Sequence, residues 1–498
     1  MDEVALVWFK RDLRLRDHKP LKHAVETGLP LILAYIVEPA IVQDPHMQAR
    51  HWRFIFESID DLNSQLMEFN QHIQVLYGDV ADIVNSLAVK YPKLHIFSFE
   101  EVGLRHTYDR DRQLRKICDK RGINWQEFAS GAVIRGLGHR RGWNRHWLEV
   151  MSQSTDDPQF KRRIDHSNDA FSQSLDAKFV LTDTLKQALC TNHTDKIEYF
   201  QLGGEKRAWF TLDHFYQQRG KYYAQHISNP TLARRACSRL SPYLAWGNIS
   251  IRQLVQQVEK RDVPNGWQRS IKAFTSRLHW RCHFIQKFES ESEMEFRCTN
   301  KAYDQYPYSN DAVSGERLTA WKNASTGIPL VDACMRAVCN TGYLNFRMRA
   351  MLVSFLTHHL NIDWRLGIEY LGAQFLDFEP GIHYPQFHMQ AGVTGTNTIR
   401  IYNPIKQSLE KDPNGDFIRK WCPELSQIPI ELLHTPWKLT TMEQNLYEVT
   451  LGEDYPEPII QVDEAARQAR ERLWQYRKRH DVKLEAKRVL NKLSILDD

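Results

Sequence analysis

The sequence lacks any apolar run that could cross a membrane, and it lacks a strong excess of charge of either sign. Its longest apolar runs, such as 30–37, are far shorter than the roughly 20 residues of a membrane-spanning helix. Lys and Arg number 66 and Asp and Glu number 61, so any surface that binds a polyanion has to be local. Residues 1–20 combine several cations with an acidic residue at position 2, which is not the pattern of a signal or transit peptide. We expect a monomeric, cytoplasmic protein with no membrane partner.

The sequence also lacks the common metal and nucleotide motifs. Its eight cysteines form no CxxC pair, and no two of them have metal-ligand spacing with a matching partner pair. This pattern predicts free, buried thiols and no metal ion. No GxGxxG or GxxxxGKS/T motif follows any predicted strand, so the sequence supports neither a Rossmann dinucleotide site nor a P-loop.

The first part of the chain alternates short apolar runs with segments of helical periodicity. The runs are 4–9, 31–37, 74–77 and 94–99, and the helical segments between them include 51–69, 79–90 and 107–121. Strands that alternate with helices indicate βαβ units and a parallel sheet covered on both faces. We therefore predict an α/β domain over residues 1–135.

The rest of the chain shows almost no strand signal. Residues 136–204 are polar and rich in Gly and Ser, and we interpret them as a long interdomain connection. Residues 205–440 show helical periodicity at 249–261, 267–288, 329–340 and 345–359, which predicts a helical domain. Within it, residues 379–404 have little periodicity and predict a long functional loop. Residues 441–498 form a charged helical extension, with one solvated helix predicted over 463–498.

Five stretches together are similar to one known family. They are LVWFKRDLRLRD at 6–17, SRLSPYL at 238–244, WKNASTGIPLVDA at 321–333, DWR at 363–365 and DPNGDFIRKW at 412–421. In this order and spacing they resemble the photolyase/cryptochrome family, from residue 4 to about residue 480. The resemblance implies an N-terminal α/β domain, a C-terminal helical domain that binds FAD, and a second, antenna chromophore that is a folate or a deazaflavin. No motif here chooses between those two or excludes an empty antenna site.

A flavin dinucleotide needs hydroxyls, backbone N–H groups and a cation around its pyrophosphate, and SRLS supplies them. By resemblance, Arg349 and Asp377 form a pair at the flavin ring, in which the Arg keeps the buried carboxylate ionised. Glu379 stands where the family usually has a second Asp. The complete set of FAD contacts implied by the resemblance is Tyr223, Ser238, Arg239, Leu240, Ser241, Arg281, Phe346, Arg349, Asp377, Glu379, His383 and Tyr384.

The implied reaction is light-driven DNA repair, in which excited reduced FAD passes an electron to a cyclobutane pyrimidine dimer. The damaged bases leave the stack and enter a pocket above the flavin. By resemblance Trp280 packs against the lesion, and Trp321 and Trp364 are the outer members of the chain that photoreduces the flavin. The DNA-binding residues that the resemblance implies are Arg277, Trp280, Arg347, Gln390 and Arg400.

The sequence departs from the family pattern around the flavin and the lesion pocket. Arg277 replaces an acidic residue, and Gln390 falls at the second Trp of the lesion cage. The Asn that commonly faces flavin N5 falls at His383 or Tyr384, and the Trp nearest the flavin falls at Phe387 or His388. Residues 343–346 lack the His pair of (6-4) photolyases, and only Cys422 follows Cys339, which argues against the iron–sulfur branch.

Three functions remain open at this stage. The first is a cyclobutane dimer photolyase, with a preference for single-stranded DNA because the cage has lost a stacking face. The second is a cryptochrome-type blue-light photoreceptor without repair activity, which the altered cage favours. The third is a light-independent FAD oxidoreductase, for which the sequence offers no substrate base.

Overall fold

The first part of the molecule is built on a parallel β-sheet. The computed structural model describes residues 3–160, 177–191 and 199–494. The five strands are β1 (Glu3–Phe9), β2 (Leu31–Val37), β3 (Ile73–Tyr77), β4 (Lys93–Phe99) and β5 (Asn124–Phe128). Their order is β3-β2-β1-β4-β5, with every neighbouring pair parallel. Strands β1 and β2 are buried almost throughout, because helices cover both faces of the sheet.

Four strands match the predicted apolar runs, and β5 was not predicted. Its sequence NWQEF is polar, and only Trp125 is buried. As an edge strand it pairs with β4 alone, so it needs fewer apolar side chains than a central strand. The main helices around the sheet are Lys19–Glu26, Pro39–Val42, Ala49–Leu66, Val80–Lys90 and Arg105–Arg121.

The predicted connection 136–204 contains regular structure. Helix Trp143–Ser152 buries Trp143, Trp147 and Met151, which recur every four residues on one face. The Met151 carbonyl accepts a hydrogen bond of 3.0 Å from Gln256, in helix Ile251–Lys260. A second helix, Asp183–Cys190, packs on Ala49–Leu66. Parts of the connection, 161–176 and 192–198, lie outside the described residues, and the domain boundaries themselves stay a prediction.

The remainder of the described chain is helical, and none of the described helices is long and apolar enough to cross a membrane. Two of its segments are π-helices, Phe215–Arg219 and Phe355–His359. The α-helices are Glu205–His214, Tyr223–His226, Pro230–Ala236, Ser241–Ala245, Ile251–Lys260, Gln268–Ser290, Ala312–Lys322, Pro329–Thr341, Phe346–Ser354, Arg365–Gln374, Pro380–Gln390, Pro404–Lys411, Asp416–Trp421, Ile430–Leu433, Thr441–Leu446, Val462–Arg477 and His480–Leu493. The parallel sheet followed by helices confirms the predicted fold class.

Two predictions for this part are wrong over part of their range. Within the predicted loop 379–404, residues 380–390 form a helix, although Pro385 inside it cannot donate to the helix ladder, and 391–403 contain no helix. Tight packing stabilises this helix: a β-carbon at Gly381 would lie 2.9 Å from the Ile285 Cα, so the backbones approach closely. The single helix predicted over 463–498 is two helices, Val462–Arg477 and His480–Leu493.

The loop after β1 joins the sheet to the helical part. Leu13 N–H donates to the Trp246 carbonyl at 3.1 Å, and the Asn248 amide donates to the Leu13 carbonyl at 3.0 Å. Gly247 has φ of 75°, and a β-carbon there would collide with the Arg11 carbonyl. This joint holds the carboxyl end of the sheet against the helices that carry the candidate site.

Candidate functional site

The segment 238–241 presents an unpaired buried donor. Arg239 has φ of 63°, in the left-handed region that residues with a β-carbon rarely adopt. Its guanidinium lies 3.6 Å above the ring of Tyr343, and its buried Nη1 has no hydrogen-bond partner. The Arg239 carbonyl accepts from the Gln201 amide at 2.9 Å, which anchors the backbone. A buried donor without a partner is costly, so this geometry is suited to a bound acceptor.

Two further arginines surround Arg239. Arg219 donates to the Ser238 carbonyl at 3.1 Å, and Arg234 donates to the Tyr199 carbonyl at 3.2 Å. Burial, and then the charge of Arg239, lower the pKa of Arg219, and together they lower the pKa of Arg234 to about 10. None of the three forms an ion pair with a carboxylate in the ranges that the structure describes. This cluster of three arginines without a direct ion pair fits a diphosphate. Sequence reasoning missed Arg219, Arg234 and Tyr343, because no local motif marks them.

The expected ring pair is formed. Arg349 Nη2 lies 3.0 Å and 2.9 Å from the two oxygens of Asp377, and the Arg349 guanidinium lies 3.9 Å above the Phe375 ring. Burial alone would raise the pKa of Asp377, but Arg349 and the Ser241 hydroxyl offset this effect and hold that pKa below its usual range. The Asp377 carboxylate is therefore an ionised acceptor next to the segment 238–241.

A narrow cavity lies against this pair. Some of the residues predicted to contact FAD line it, and others do not. Its lining includes Phe346, Arg349, Asp377, Glu379, His383, Phe387 and Gln390. Glu379 accepts a charge-assisted bond of 3.1 Å from Arg281, which also donates to the Leu244 carbonyl at 2.9 Å. Arg281 therefore acts on the cavity through Glu379 and is absent from its lining.

The structure distinguishes His383 from Tyr384. His383 lines the cavity, whereas the Tyr384 hydroxyl lies 3.1 Å from His46 Nε2 in the first part of the chain. Burial lowers the pKa of His383 to about 3, so the imidazole is neutral. Its Nε2 lies 2.8 Å from the Ile368 carbonyl oxygen, which can only accept, so Nε2 carries the proton. His383 Nδ1 is then an acceptor without a proton, whereas an Asn side chain would also offer donors.

The two candidates for the residue nearest the flavin also separate. Phe387 lines the cavity, and His388 instead contacts Trp364, with ring centroids 4.2 Å apart. The Trp364 indole donates to the Cys298 thiol at 3.3 Å. Trp321 is fully buried and packs against Tyr370, with ring centroids 6.0 Å apart. A fully buried side chain cannot meet an external reductant, which speaks against Trp321 as the outer end of an electron-transfer chain.

A larger cavity of about 510 Å³ opens to solvent beside the narrow one, and Phe346 and Gln390 line both. It also brings together Arg277, Trp280, Arg347 and Arg400, all predicted to bind DNA. Trp280 is 47% exposed, with the Arg277 guanidinium 4.9 Å from its ring centroid. Gln390 is only 5% exposed and offers no flat apolar face. The cavity therefore has one aromatic face at the position of the expected pair.

Two remaining predicted residues lie deeper. Leu240 is 1% exposed and belongs to the hydrophobic core. Tyr223 packs edge-to-face on Phe215 and Phe274, with ring centroids 5.8 Å and 6.0 Å away. Leu240 therefore has a packing role in this geometry, and any contact that it makes with a ligand is through its backbone.

Comparison with known proteins agrees with this geometry. Residues 5–136 match the family model for DNA photolyase, and residues 274–475 match the model for the FAD binding domain of DNA photolyase. The deoxyribodipyrimidine photo-lyase of Alkalihalophilus pseudofirmus is 27% identical over 477 residues, covering 92% of this chain and 95% of that protein. The cryptochrome DASH of Synechocystis sp. is 29% identical over 482 residues, covering 92% and 95%. The crystal structure of a Synechocystis cryptochrome superposes with a TM-score of 0.81 at 25% identity, covering 94% of this chain and 99% of that one.

The unpaired Arg239 donor and the ionised Asp377 fit the FAD that the matched domain binds. The chain has a parallel α/β part and a helical part that matches the FAD-binding domain, and its relatives include both photolyases and cryptochromes. It therefore belongs to the photolyase/cryptochrome family.

Proposed function

We propose that this protein is a light-driven DNA-repair enzyme that acts on cyclobutane pyrimidine dimers, with a preference for single-stranded DNA. The observation that carries the proposal is the contact between the two cavities. Phe346 and Gln390 line both of them, so a base that enters the larger cavity lies next to the flavin-ring site. Such proximity is what electron transfer between flavin and base requires.

The protein's own residues have distinct roles in this proposal. FAD, when bound and reduced, absorbs the light and supplies the electron. Arg219, Arg234 and Arg239 hold the diphosphate, and Asp377 accepts an N–H group from the ring edge. Trp280 stacks on the extruded bases, and Arg277, Arg347 and Arg400 bind phosphates.

One observation favours a second candidate, a cryptochrome-type photoreceptor without repair activity. The larger cavity has Trp280 but no second aromatic face at Gln390. A lesion loses stacking energy there, and a protein that only senses light needs no lesion cage. Absence of repair on both single- and double-stranded substrates, together with intact FAD photoreduction, would establish this candidate instead.

The strand preference can be measured directly. Stacking on one aromatic face contributes roughly 1–3 kcal/mol per base, and extrusion from a duplex costs a few kcal/mol. With one face missing, the reduced protein under blue light should repair a dimer faster in single-stranded than in double-stranded DNA. Binding should depend steeply on salt, and Arg277→Glu should reduce the slope of log affinity against log salt. Equal repair of both substrates would refute the argument from Gln390.

Photoreduction tests the aromatic path. Because Phe387 stands beside the ring site, flavin reduction should be slow or should use a tyrosine. Tyr384 is one such tyrosine, since its ring lies 6.0 Å from His383, which lies 5.6 Å from Phe387. Tyr402, which lines the larger cavity, is the other. We expect Trp364→Phe to slow the photoreduction followed by flavin absorbance, with the buried Trp321→Phe as its comparison. An unchanged rate in Trp364→Phe would show that electrons do not reach the flavin through the tryptophans that the family resemblance implies.

A second chromophore has a candidate place at the carboxyl ends of β1, β2 and β4. A cavity there is lined by residues that include Lys10, Tyr35, Glu38, Glu101 and Arg110. In open α/β sheets, ligands bind at the carboxyl ends of the strands, at the point where the strand order reverses. In this sheet that point lies between β1 and β4. The residues do not discriminate a folate from a deazaflavin. A violet or near-UV absorption band that survives removal of FAD should identify such a chromophore, and its absence from freshly purified protein would indicate an empty site.

The monomeric state and the cytoplasmic location stay predictions.

A further inference from the structure

The helix Val462–Arg477 borders the cavity proposed for the lesion. A second open cavity, of about 530 Å³, shares Arg347, Arg400 and Tyr402 with it. Arg470 and Trp474 of the helix also line this second cavity. The two cavities adjoin at these three residues and together extend from Trp280 to Trp474; we call them the arginine–aromatic groove.

The charge of this groove is of one sign. Arg277, Arg347, Arg400 and Arg470 line it, and no Asp or Glu does. None of the four arginines forms an ion pair with a carboxylate within the described part of the chain. On a protein whose net charge is only +5, four uncompensated cations in one groove point to a polyanionic ligand.

The groove also exposes large aromatic faces. Trp474 is 49% exposed and Trp280 is 47% exposed, which is unusual for the largest apolar side chain. Arginines alternate with these rings, and Arg477 lies 5.8 Å from the Trp474 ring centroid. Proteins that bind single-stranded DNA combine a cationic groove with aromatic rings on which bases stack.

The helix is held firmly in this place. Its own residues Leu473 and Tyr476 are buried against the rest of the protein, and its Arg472 donates to the His358 carbonyl at 3.2 Å. Arg477 donates to the carbonyl of Asn397, a residue that lines the lesion cavity, at 3.1 Å. Arg470 and Trp474 are four residues apart and therefore lie on one face of the helix. Their position at the rim is thus a fixed feature of the fold.

We infer that Arg470 and Trp474 form a second DNA-binding segment, which holds the single strand that flanks the extruded bases. Trp474 stacks on an undamaged base and Arg470 binds a phosphate of the same strand. The inference rests on the proposed function, since its ligand is the DNA that carries the lesion. The inference goes beyond the proposed function, because this segment contacts neither the dimer nor the flavin.

The test is binding of a fluorescein-labelled, undamaged oligothymidylate to the FAD-loaded protein in the dark, followed by anisotropy over a range of salt. Loss of one stacking face should weaken binding of Trp474→Ala by about 5- to 150-fold. Arg470→Gln should lower the slope of log affinity against log salt by about 0.7, the value for one phosphate contact on a single strand. In repair assays Trp474→Ala should raise KM for a dimer in a long strand and leave kcat unchanged.

The chain offers matched controls. Arg467→Gln removes the same charge from the same helix at a position outside the groove, and Phe210→Ala removes an exposed ring elsewhere, so both should bind as the unmodified protein does. Unmodified binding by Trp474→Ala and Arg470→Gln would overturn the inference and make this helix an ordinary solvated surface. So would the absence of any oligothymidylate binding. If binding depends on Trp474 but no repair occurs, the assignment of Arg470 and Trp474 to single-stranded DNA stands, and the proposed repair function fails.

Discussion

The Arg239→Ala variant is expected to purify almost without FAD, whereas the unmodified protein should be yellow or blue-grey. The buried Nη1 of Arg239 has no hydrogen-bond partner in the described structure, and Arg219 and Arg234 beside it form no direct ion pair with a carboxylate there. A charged hydrogen bond contributes roughly 1.5–3 kcal/mol, and a lost cation leaves the buried diphosphate poorly compensated. The ratio of flavin to protein absorbance after gel filtration measures the loss.

Backbone strain allows a sharp control for this variant. Arg239 has φ of 63°, a conformation that costs a residue with a β-carbon roughly 1–2 kcal/mol. Arg239→Ala keeps this cost, and Arg239→Gly removes it, so Arg239→Gly should melt no lower than Arg239→Ala and still lack FAD. Arg235→Ala removes an exposed arginine nearby and should retain FAD. Full occupancy in Arg239→Ala would refute the assignment of the diphosphate site.

Asp377→Ala should also lose most FAD, for a related reason. The carboxylate is the ionised acceptor beside the ring cavity, and its removal leaves Arg349 without its ion-pair partner. Full FAD occupancy in this variant would refute the assignment of the ring edge.

The Trp280→Ala variant is expected to lose measurable dimer repair while it keeps FAD. Trp280 is the aromatic residue of the proposed lesion pair that this chain keeps, and Gln390, which lines the same cavity, offers no stacking face. Removal of the indole therefore removes most of the stacking energy that offsets extrusion of the bases, roughly 1–3 kcal/mol per base. The measurement is dimer repair by the reduced variant under blue light, at substrate concentrations that are limiting for the unmodified protein.

The exposure of Trp280 makes this test specific. At 47% exposure its truncation leaves no core cavity, so the melting temperature and the FAD content should change little. Trp280→Phe keeps a smaller aromatic face and should retain part of the activity. Repair by Trp280→Ala at the unmodified rate would exclude this cavity as the lesion site.

Two of the five stretches by which the family can be recognised, 321–333 and 412–421, contain a carboxylate with a structural role. Asp332, in the stretch 321–333, is fully buried and accepts from Thr326 N–H at 2.8 Å, from Gly327 N–H at 3.0 Å and from the Tyr455 hydroxyl at 2.6 Å. Asp412 accepts from Phe417 N–H at 3.0 Å. Both carboxylates satisfy backbone groups at turns and helix starts, so these stretches identify the fold without touching the candidate site.

Four of the five strands and several of the longer helices follow from local sequence, because apolar runs and helical periodicity are short-range properties of a chain that has to bury its apolar side chains. Helix Pro380–Gln390 does not follow from local sequence, because its packing against helix Gln268–Ser290 overrides the effect of Pro385. The Arg349–Asp377 pair was predicted through the family resemblance, and the structure forms it. The roles of this pair and of the SRLS stretch at a flavin stay predictions.

Only the tertiary structure decided which of two neighbouring residues lines the narrow cavity. Successive residues on a helix point about 100° apart, so a one-residue ambiguity in the sequence exchanges a cavity-lining residue for a core residue. The structure places His383 and Phe387 at the cavity and turns Tyr384 and His388 away from it. The cationic field of Arg219 and Arg234, and the groove that joins Trp280 to Trp474, likewise depend on side chains brought together from distant segments, which no local pattern in the chain encodes.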